Sequence, residues 1–270
     1  MELLTAHIKK LIYDGVIARV KKSEFASASN KITMIIEQLH ESIPDDKRIS
    51  YGIVHTVKEL GQFLYNAFGE NDINLFSASS ALFDSGKTSE SKAVALCILS
   101  FYGLEEPEKV FPYFEAAAND DDWELREISQ ILFRKLIKPH PDKVKKFLLK
   151  MVKSDNLNCR RFAGETLRPV CENKWFYKNP EYSLSIIKHL FKEGKAYPRT
   201  SVGNNLSDLA RHLPDLVYNI VEELVESGDK NSYWIAYRAC RNVIKKEPEK
   251  VMQLLKVTSY KYKDRIHTVK

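Results

Sequence analysis

The residues whose types and spacing can do chemistry lie between Asn158 and Asp208. Two segments there align without a gap, Asn158-Cys-Arg-Arg-Phe-Ala-Gly-Glu165-Thr-Leu-Arg-Pro169 and Arg199-Thr-Ser-Val-Gly-Asn204-Asn205-Leu-Ser-Asp208. Arg160 falls on Arg199, Ala163 on Val202, Gly164 on Gly203 and Leu167 on Leu206. Between them lies an insertion rich in bases and aromatics, Val170-Cys-Glu-Asn-Lys174-Trp175-Phe-Tyr-Lys-Asn179. Arginine pairs with phosphate through two parallel hydrogen bonds, and an indole ring stacks on a base or takes a cation. This mixture suits the binding of a nucleic acid.

The charge supports that reading. From Arg134 to Arg199 there are 17 Lys/Arg against 6 Asp/Glu, while the remaining residues hold 25 bases and 30 acids. A basic middle between acidic flanks is the footprint of a phosphate-binding groove, although a solvated helix face gives the same count.

These residues need elements to position them, and the periodicity supplies helices. Leu3, Ile8, Leu11, Ile12 and Val16 form one apolar stripe; Ile32, Ile35, Ile36 and Leu39 form a second; Ile53, Val57, Leu60, Leu64 and Phe68 form a third. From Glu105 onward a repeat appears. Pro107-Glu, Pro141-Asp, Pro180-Glu, Pro214-Asp and Pro248-Glu recur at intervals of 34, 39, 34 and 34 residues. Proline followed by an acid suits the first turn of a helix, and an apolar stripe follows each pair. The unit is helix–turn–helix, and this period predicts an all-α fold: an α-solenoid of HEAT-like repeats, curved, with a basic concave face. Residues 1–104 are expected as an N-terminal helical cap, 105–260 as the repeats and 261–270 as a tail, in one continuous domain.

If the first helix of each pair lines the concave side, it brings Trp123, Arg126, Arg134, Arg160, Arg161, Arg168, Arg199, Tyr233, Trp234, Arg238 and Arg241 to one ligand. Plainer readings stand beside this one. Glu165 fits an ion pair with Arg161 or Arg168 on its own helix. Asp208 fits an exposed acid, and Asn204 and Asn205 fit caps or turns. Trp123 and Trp234 fit the core of the stack, and Trp175 fits packing that anchors the insertion.

The motifs Arg160–Pro169, Trp175, Ser201–Asp208 and Pro214-Asp-Leu resemble the HEAT-like-repeat DNA alkylation repair family, its AlkC branch more than its AlkD branch. Trp234-Ile-Ala-Tyr-Arg238 through Arg241 is similar to the final repeat of that branch. The similarity runs from about Phe111 to Leu255 and is only general in the first hundred residues. It implies a monomer that wraps double-stranded DNA and, as an alkylpurine DNA glycosylase, excises cationic N3- and N7-alkylpurines with no cofactor. Such a base already carries positive charge and leaves without a strong acid. The sugar left behind develops oxocarbenium character, which a nearby carboxylate stabilises. By resemblance, Glu165 and Asp208 match the family's active-site carboxylates and Trp175 its aromatic, here in a longer loop. DNA contacts then fall to the arginines above with Lys174, Asn204 and Asn205.

One departure matters. Gln130 stands where an earlier repeat is expected to carry another functional carboxylate, and Glu127, four residues after Trp123, is the acid able to replace it. The family includes members that bind DNA, branched DNA among them, without excising a base, and Gln130 keeps that alternative open. A protein-binding scaffold is a third reading, against which the basic centre counts.

Other classes are excluded. Gly86-Lys-Thr88 invites a phosphate loop, but position 81 is Ala where that loop needs glycine. Cys97, Cys159, Cys171 and Cys240 form no Cys-x-x-Cys pair and no His lies at metal-ligand spacing, so structural zinc is not expected. Scattered thiols point to a reducing compartment, the cytoplasm and with it the bacterial nucleoid. No apolar run of membrane-spanning length occurs in these residues, and no secretion signal is expected.

Overall fold

A residue before proline is sterically kept out of helical backbone, while proline itself is preset for the first turn. Four helices of this chain start on that rule in nearly the same conformation. Glu106, Asn179, Leu213 and Glu247 have φ/ψ of −127/71, −136/59, −129/60 and −131/63°, each followed by proline in the first turn. The recurrence in backbone angle is the repeat of the sequence made physical.

A computed structural model gives the architecture and describes residues 2–48 and 52–268. The chain divides into two compact units, Met1–Val144 and Lys145–Lys270. The first holds α1 (Ala6–Ile12), α2 (Ala18–Lys21), α3 (Phe25–Ser42), α4 (Ile53–Glu70), α5 (Leu75–Ser85), α6 (Ser89–Tyr102), α7 (Pro107–Ala118) and α8 (Trp123–Phe133). α6 is buried on nearly every side from Ala93 to Ser100 and packs on α4, α5 and α8, so it is the axis of this unit. Gly61 lets α4 approach it: a Cβ added there would lie 2.5 Å from Cys97 Cβ. Gly86 ends α5 and the Thr88 hydroxyl caps α6, as the rejection of a phosphate loop required.

α9 (Pro141–Val152) spans the division. The second unit continues with α10 (Leu157–Thr166), a 3-10 segment over Cys171–Tyr177, α11 (Pro180–Ile187), α12 (Ala196–Leu209), α13 (Pro214–Glu226), α14 (Lys230–Ala239) and α15 (Pro248–Leu255). The first helices stack, α10 on α12 and α12 on α14, and α13 packs on α14 and α15. This is the α-solenoid of HEAT-like helical pairs that the period predicts. Asn156 and Asp229 cap α10 and α14 with side-chain oxygens, satisfying backbone N–H groups that have no partner in the helix.

The matched glycines of the sequence are the contact points of the stack. A Cβ at Gly164 would lie 3.1 Å from Ser201 Cβ, and one at Gly203 would lie 2.9 Å from Arg238 Cβ. The last described residues add two short strands to the helices. Ser259–Tyr262 and Arg265–Thr268 pair as an antiparallel hairpin, β1–β2, because Tyr260 finds a buried place against the second unit's helices. Among the described residues no helix is long and apolar enough to cross a membrane.

Candidate functional site

The site grows from the last turn of α10. Glu165 is buried there at 4% exposure and Arg168 follows just past the helix end, so the two meet across i,i+3 with Arg168 Nη1 3.0 Å from Glu165 Oε2. Asp208, 7% exposed near the end of α12, comes to the same arginine from the next repeat. Arg168 donates to Asp208 Oδ2 from Nη2 at 2.6 Å and from Nε at 2.9 Å. One guanidinium therefore joins two carboxylates that are 43 positions apart in the chain.

Further arginines surround this trio. Arg211 Nη2 and Arg241 Nη2 lie 3.7 and 3.8 Å from Asp208 Oδ1. Asn204 Oδ1 accepts from Arg241 Nη1 at 2.6 Å and from Arg238 Nε at 2.8 Å, which aims both arginines. Arg241 Nε also donates to Ser207 Oγ at 3.0 Å. The Trp234 ring is half-buried and takes Arg199 and Arg238 against it, at 4.8 and 5.5 Å from the ring centre. Burial works against the charge of Arg168, but the Glu165 and Asp208 carboxylates outweigh it and hold its pKa above the ordinary value. Burial and then the charge of Arg241 pull Arg238 the other way, below it. The cluster thus carries Glu165 and Asp208 among Arg168, Arg199, Arg211, Arg238 and Arg241, an excess of positive charge with a negative centre.

The insertion forms one wall. Asn173 is fully buried, and its Nδ2 donates to Thr166 O at 2.8 Å and Arg168 O at 3.1 Å, tying the 3-10 segment to the end of α10. Trp175 is half-buried and packs on Phe176 and Tyr182, at ring distances of 4.5 and 5.2 Å. Tyr177 donates to Pro169 O at 2.6 Å and lies 4.0 Å from the His212 ring. Lys174 and Cys171 are exposed beside them.

Several of the expected contact residues bond within the protein. Arg160 donates to Ser154 O and Asp155 O at 2.8 and 2.9 Å and pairs with Glu193 at 2.6 Å. Arg126 does the same one repeat earlier, bonding Asp120 O and Asp121 O at 2.6 and 2.9 Å. Both fasten the loop before their own helix. Arg199 donates to Asn231, Arg161 lies 4.3 Å from the centre of the Tyr197 ring, and buried Asn205 donates to Gly164 O at 3.2 Å.

In the first unit, Gln130 bridges two charges. Its Nε2 donates to Glu127 Oε2 at 2.8 Å and its Oε1 accepts from Arg134 Nη2 at 2.7 Å. An amide does this without adding a charge to a site 3% exposed, which a carboxylate beside Glu127 would. Trp123, offered both as a ligand-facing candidate and as a core residue, stands at the first position of α8 and is 61% exposed. Arg211, Ser207 and Tyr262 were missed by sequence reasoning. Arg211 lay three residues from Asp208 and was legible as its helix neighbour; the other two carry no local signal. Among the described residues no cluster of three or more His, Cys, Asp or Glu stands ready for a metal.

The family model for the DNA alkylation repair enzyme matches residues 51–243. Among solved structures, the chain is similar to the Pseudomonas fluorescens alkylpurine DNA glycosylase AlkC bound to DNA containing an abasic site analog. That likeness has 18% identity and a TM-score of 0.57 over 92% of this chain. The chain spans 64% of that protein's length. It is also similar to AlkD2 from Streptococcus mutans, with 22% identity and a TM-score of 0.55 over 78% of this chain and 98% of that one. These likenesses establish the fold. No curated protein matches the chain.

Proposed function

The chain belongs to the DNA alkylation repair enzyme family, and from that premise we propose that it binds duplex DNA and hydrolyses the N-glycosidic bond of cationic alkylpurines at the Glu165–Asp208 cluster. The observation that carries the proposal is the shared guanidinium: two buried carboxylates from adjacent repeats meet at Arg168 inside a rim of further arginines. The rim suits the phosphates on either side of a lesion, and the acids suit the cation between them.

The chemistry balances with water alone. The bond from sugar C1′ to the purine nitrogen breaks, and its electron pair neutralises the charge on the base. Water oxygen then bonds to C1′ and its proton passes to a carboxylate or to solvent. Glu165 and Asp208 stabilise the oxocarbenium charge that peaks between these events. Trp175, in the insertion that Asn173 ties to the end of α10, is the aromatic we assign to face either cation.

A second reading is favoured by the same arginine. Arg168 sits within 3.0 Å of both acids and offsets part of their charge, which fits a protein that binds damaged or branched DNA without cleaving it. Incubation of the purified protein with methylated duplex DNA, followed by chromatography of released bases, separates the two. Release by the wild type and its loss in Glu165→Gln is the expected result. No release, with salt-sensitive DNA binding intact, would replace catalysis with the second reading.

A further inference from the structure

The hairpin at the end of the described chain is not needed to complete a helical pair, yet its attachment to α14 is specific. Tyr260 is fully buried, stacks on Tyr237 at 4.2 Å and donates its hydroxyl to Tyr237 O at 2.8 Å. The Tyr237 hydroxyl in turn accepts from Lys261 N at 2.7 Å. This anchorage holds three exposed cations, Lys261, Lys263 and Arg265, around the single acid Asp264.

Arg265 pairs in register with Tyr262, and this pair adjoins the site. The Tyr262 ring lies 5.9 Å from the Arg241 guanidinium, which itself stands 3.8 Å from Asp208. On the other face of the hairpin, Lys261 pairs in register with Ile266, whose side chain is 65% exposed. An apolar side chain beside a cation suits the sugar and base surface of a groove. The turn residue is also telling. Lys263 has φ 56°, a left-handed backbone where glycine avoids the clash of a Cβ, as does Lys256 at the end of α15. Lysine in the turn thus works against stability and adds charge.

We infer that this hairpin is a second nucleic-acid contact, in which Lys261, Lys263 and Arg265 bind duplex phosphates beyond the segment held by Arg238 and Arg241. The inference rests on the reading that the arginine cluster binds DNA. It is tested by fluorescence anisotropy of a labelled duplex at several salt concentrations. Wild type is compared with a Lys261→Gln/Lys263→Gln/Arg265→Gln triple variant and with Arg241→Gln.

The triple variant is expected to bind about tenfold or more weakly, with the slope of log affinity against log salt reduced by about two to three. Its melting temperature should stay at the wild-type value, since all three side chains are exposed. Wild-type affinity and slope in the triple variant, alongside a loss in Arg241→Gln, would overturn the hairpin contact and leave the site reading standing. A wild type that fails to hold DNA even at low salt would overturn the site reading and the hairpin with it. Lys263→Gly gives an independent check: it should melt higher and bind more weakly, with the slope reduced by about one. A higher melt with unchanged binding counts against the proposal.

Discussion

Arg168 holds Asp208 Oδ2 with two donors, Nη2 at 2.6 Å and Nε at 2.9 Å, so an acid of one repeat is fixed by a base of the repeat before it. Removing that base leaves Glu165 and Asp208 buried with less compensation. Breaking one partner of a buried pair costs about 3–5 kcal/mol. Arg168 is 25% exposed and Arg211 and Arg241 remain near Asp208, which brings the expectation to about 2–3 kcal/mol. Arg168→Met should lose that much in urea unfolding at pH 7. Adding Glu165→Gln and Asp208→Asn to Arg168→Met should recover part of that loss, because no buried carboxylate is then left without its partner. An equal loss in the combined variant would assign the effect to packing instead.

Gly203→Ala should weaken the stack at the point that aims two arginines. The new methyl would lie 2.9 Å from both Cβ and Cδ of Arg238. Cδ can swing away, but Cβ moves only with α14. Overpacking costs about 1–3 kcal/mol, and the better helix propensity of alanine returns up to ~1 kcal/mol. A net loss of about 1–2 kcal/mol is expected, with weaker DNA binding as Arg238 and Arg241 shift. Gly164→Ala, facing Ser201 Cβ at 3.1 Å, should lose less. Thermal melting of both variants decides the order.

The helical repeats were legible because their signal is local. Each Pro-acid pair opens a helix, at Pro107, Pro141, Pro180, Pro214 and Pro248, since a missing N–H and a fixed φ suit that one position. The alignment of Gly164 with Gly203 likewise marked real contact points. Which arginine is available to a ligand was not legible. Arg126 and Arg160 turn back to carbonyls five and six residues earlier, and nothing in their spacing distinguishes them from Arg241. The hairpin was hidden for a related reason: a four-residue strand is too short for a clear period, and the place of Tyr260 depends on Tyr237, 23 residues away. The joining of Glu165 to Asp208 through Arg168 is a product of stacking and has no signature within either helix.

Lys135 should make the first unit more stable as pH rises. Its ammonium lies over the Phe101 ring, 2.9 Å from the centroid. Burial first, with a smaller opposing pull from Cys97 and a further push from Lys58, lowers its pKa to about 8 from 10.5. The unfolded chain then binds more protons between these values, so stability gains as pH rises through about 8 towards 10.5. After discounting for its partial exposure, the charged form costs about 1 kcal/mol at neutral pH. Lys135→Met should therefore be more stable than wild type by about that amount at pH 7, and the advantage should fade by pH 10. Urea titrations at both pH values measure it; an advantage that persists undiminished would mean that packing, not charge, sets it.

Neutralising both acids separates holding DNA from acting on it. In a Glu165→Gln/Asp208→Asn variant, Arg168, Arg211 and Arg241 lose the negative charge they surround, and the cluster becomes more positive. Undamaged duplex should bind as well as to wild type or better, with a steeper salt slope. Release of methylated purines should fall about a hundred- to a thousandfold, the scale lost when a group that stabilises transition-state charge is removed. The variant should also melt lower, because the partly buried Arg168 and Arg241 are left without their acids, so both readings belong well below its melting temperature. Base release at the wild-type rate would take the acids out of the chemistry and leave Arg168 as a strut between repeats. Intact binding with release abolished would place the reaction at the carboxylates and the grip at the arginines around them.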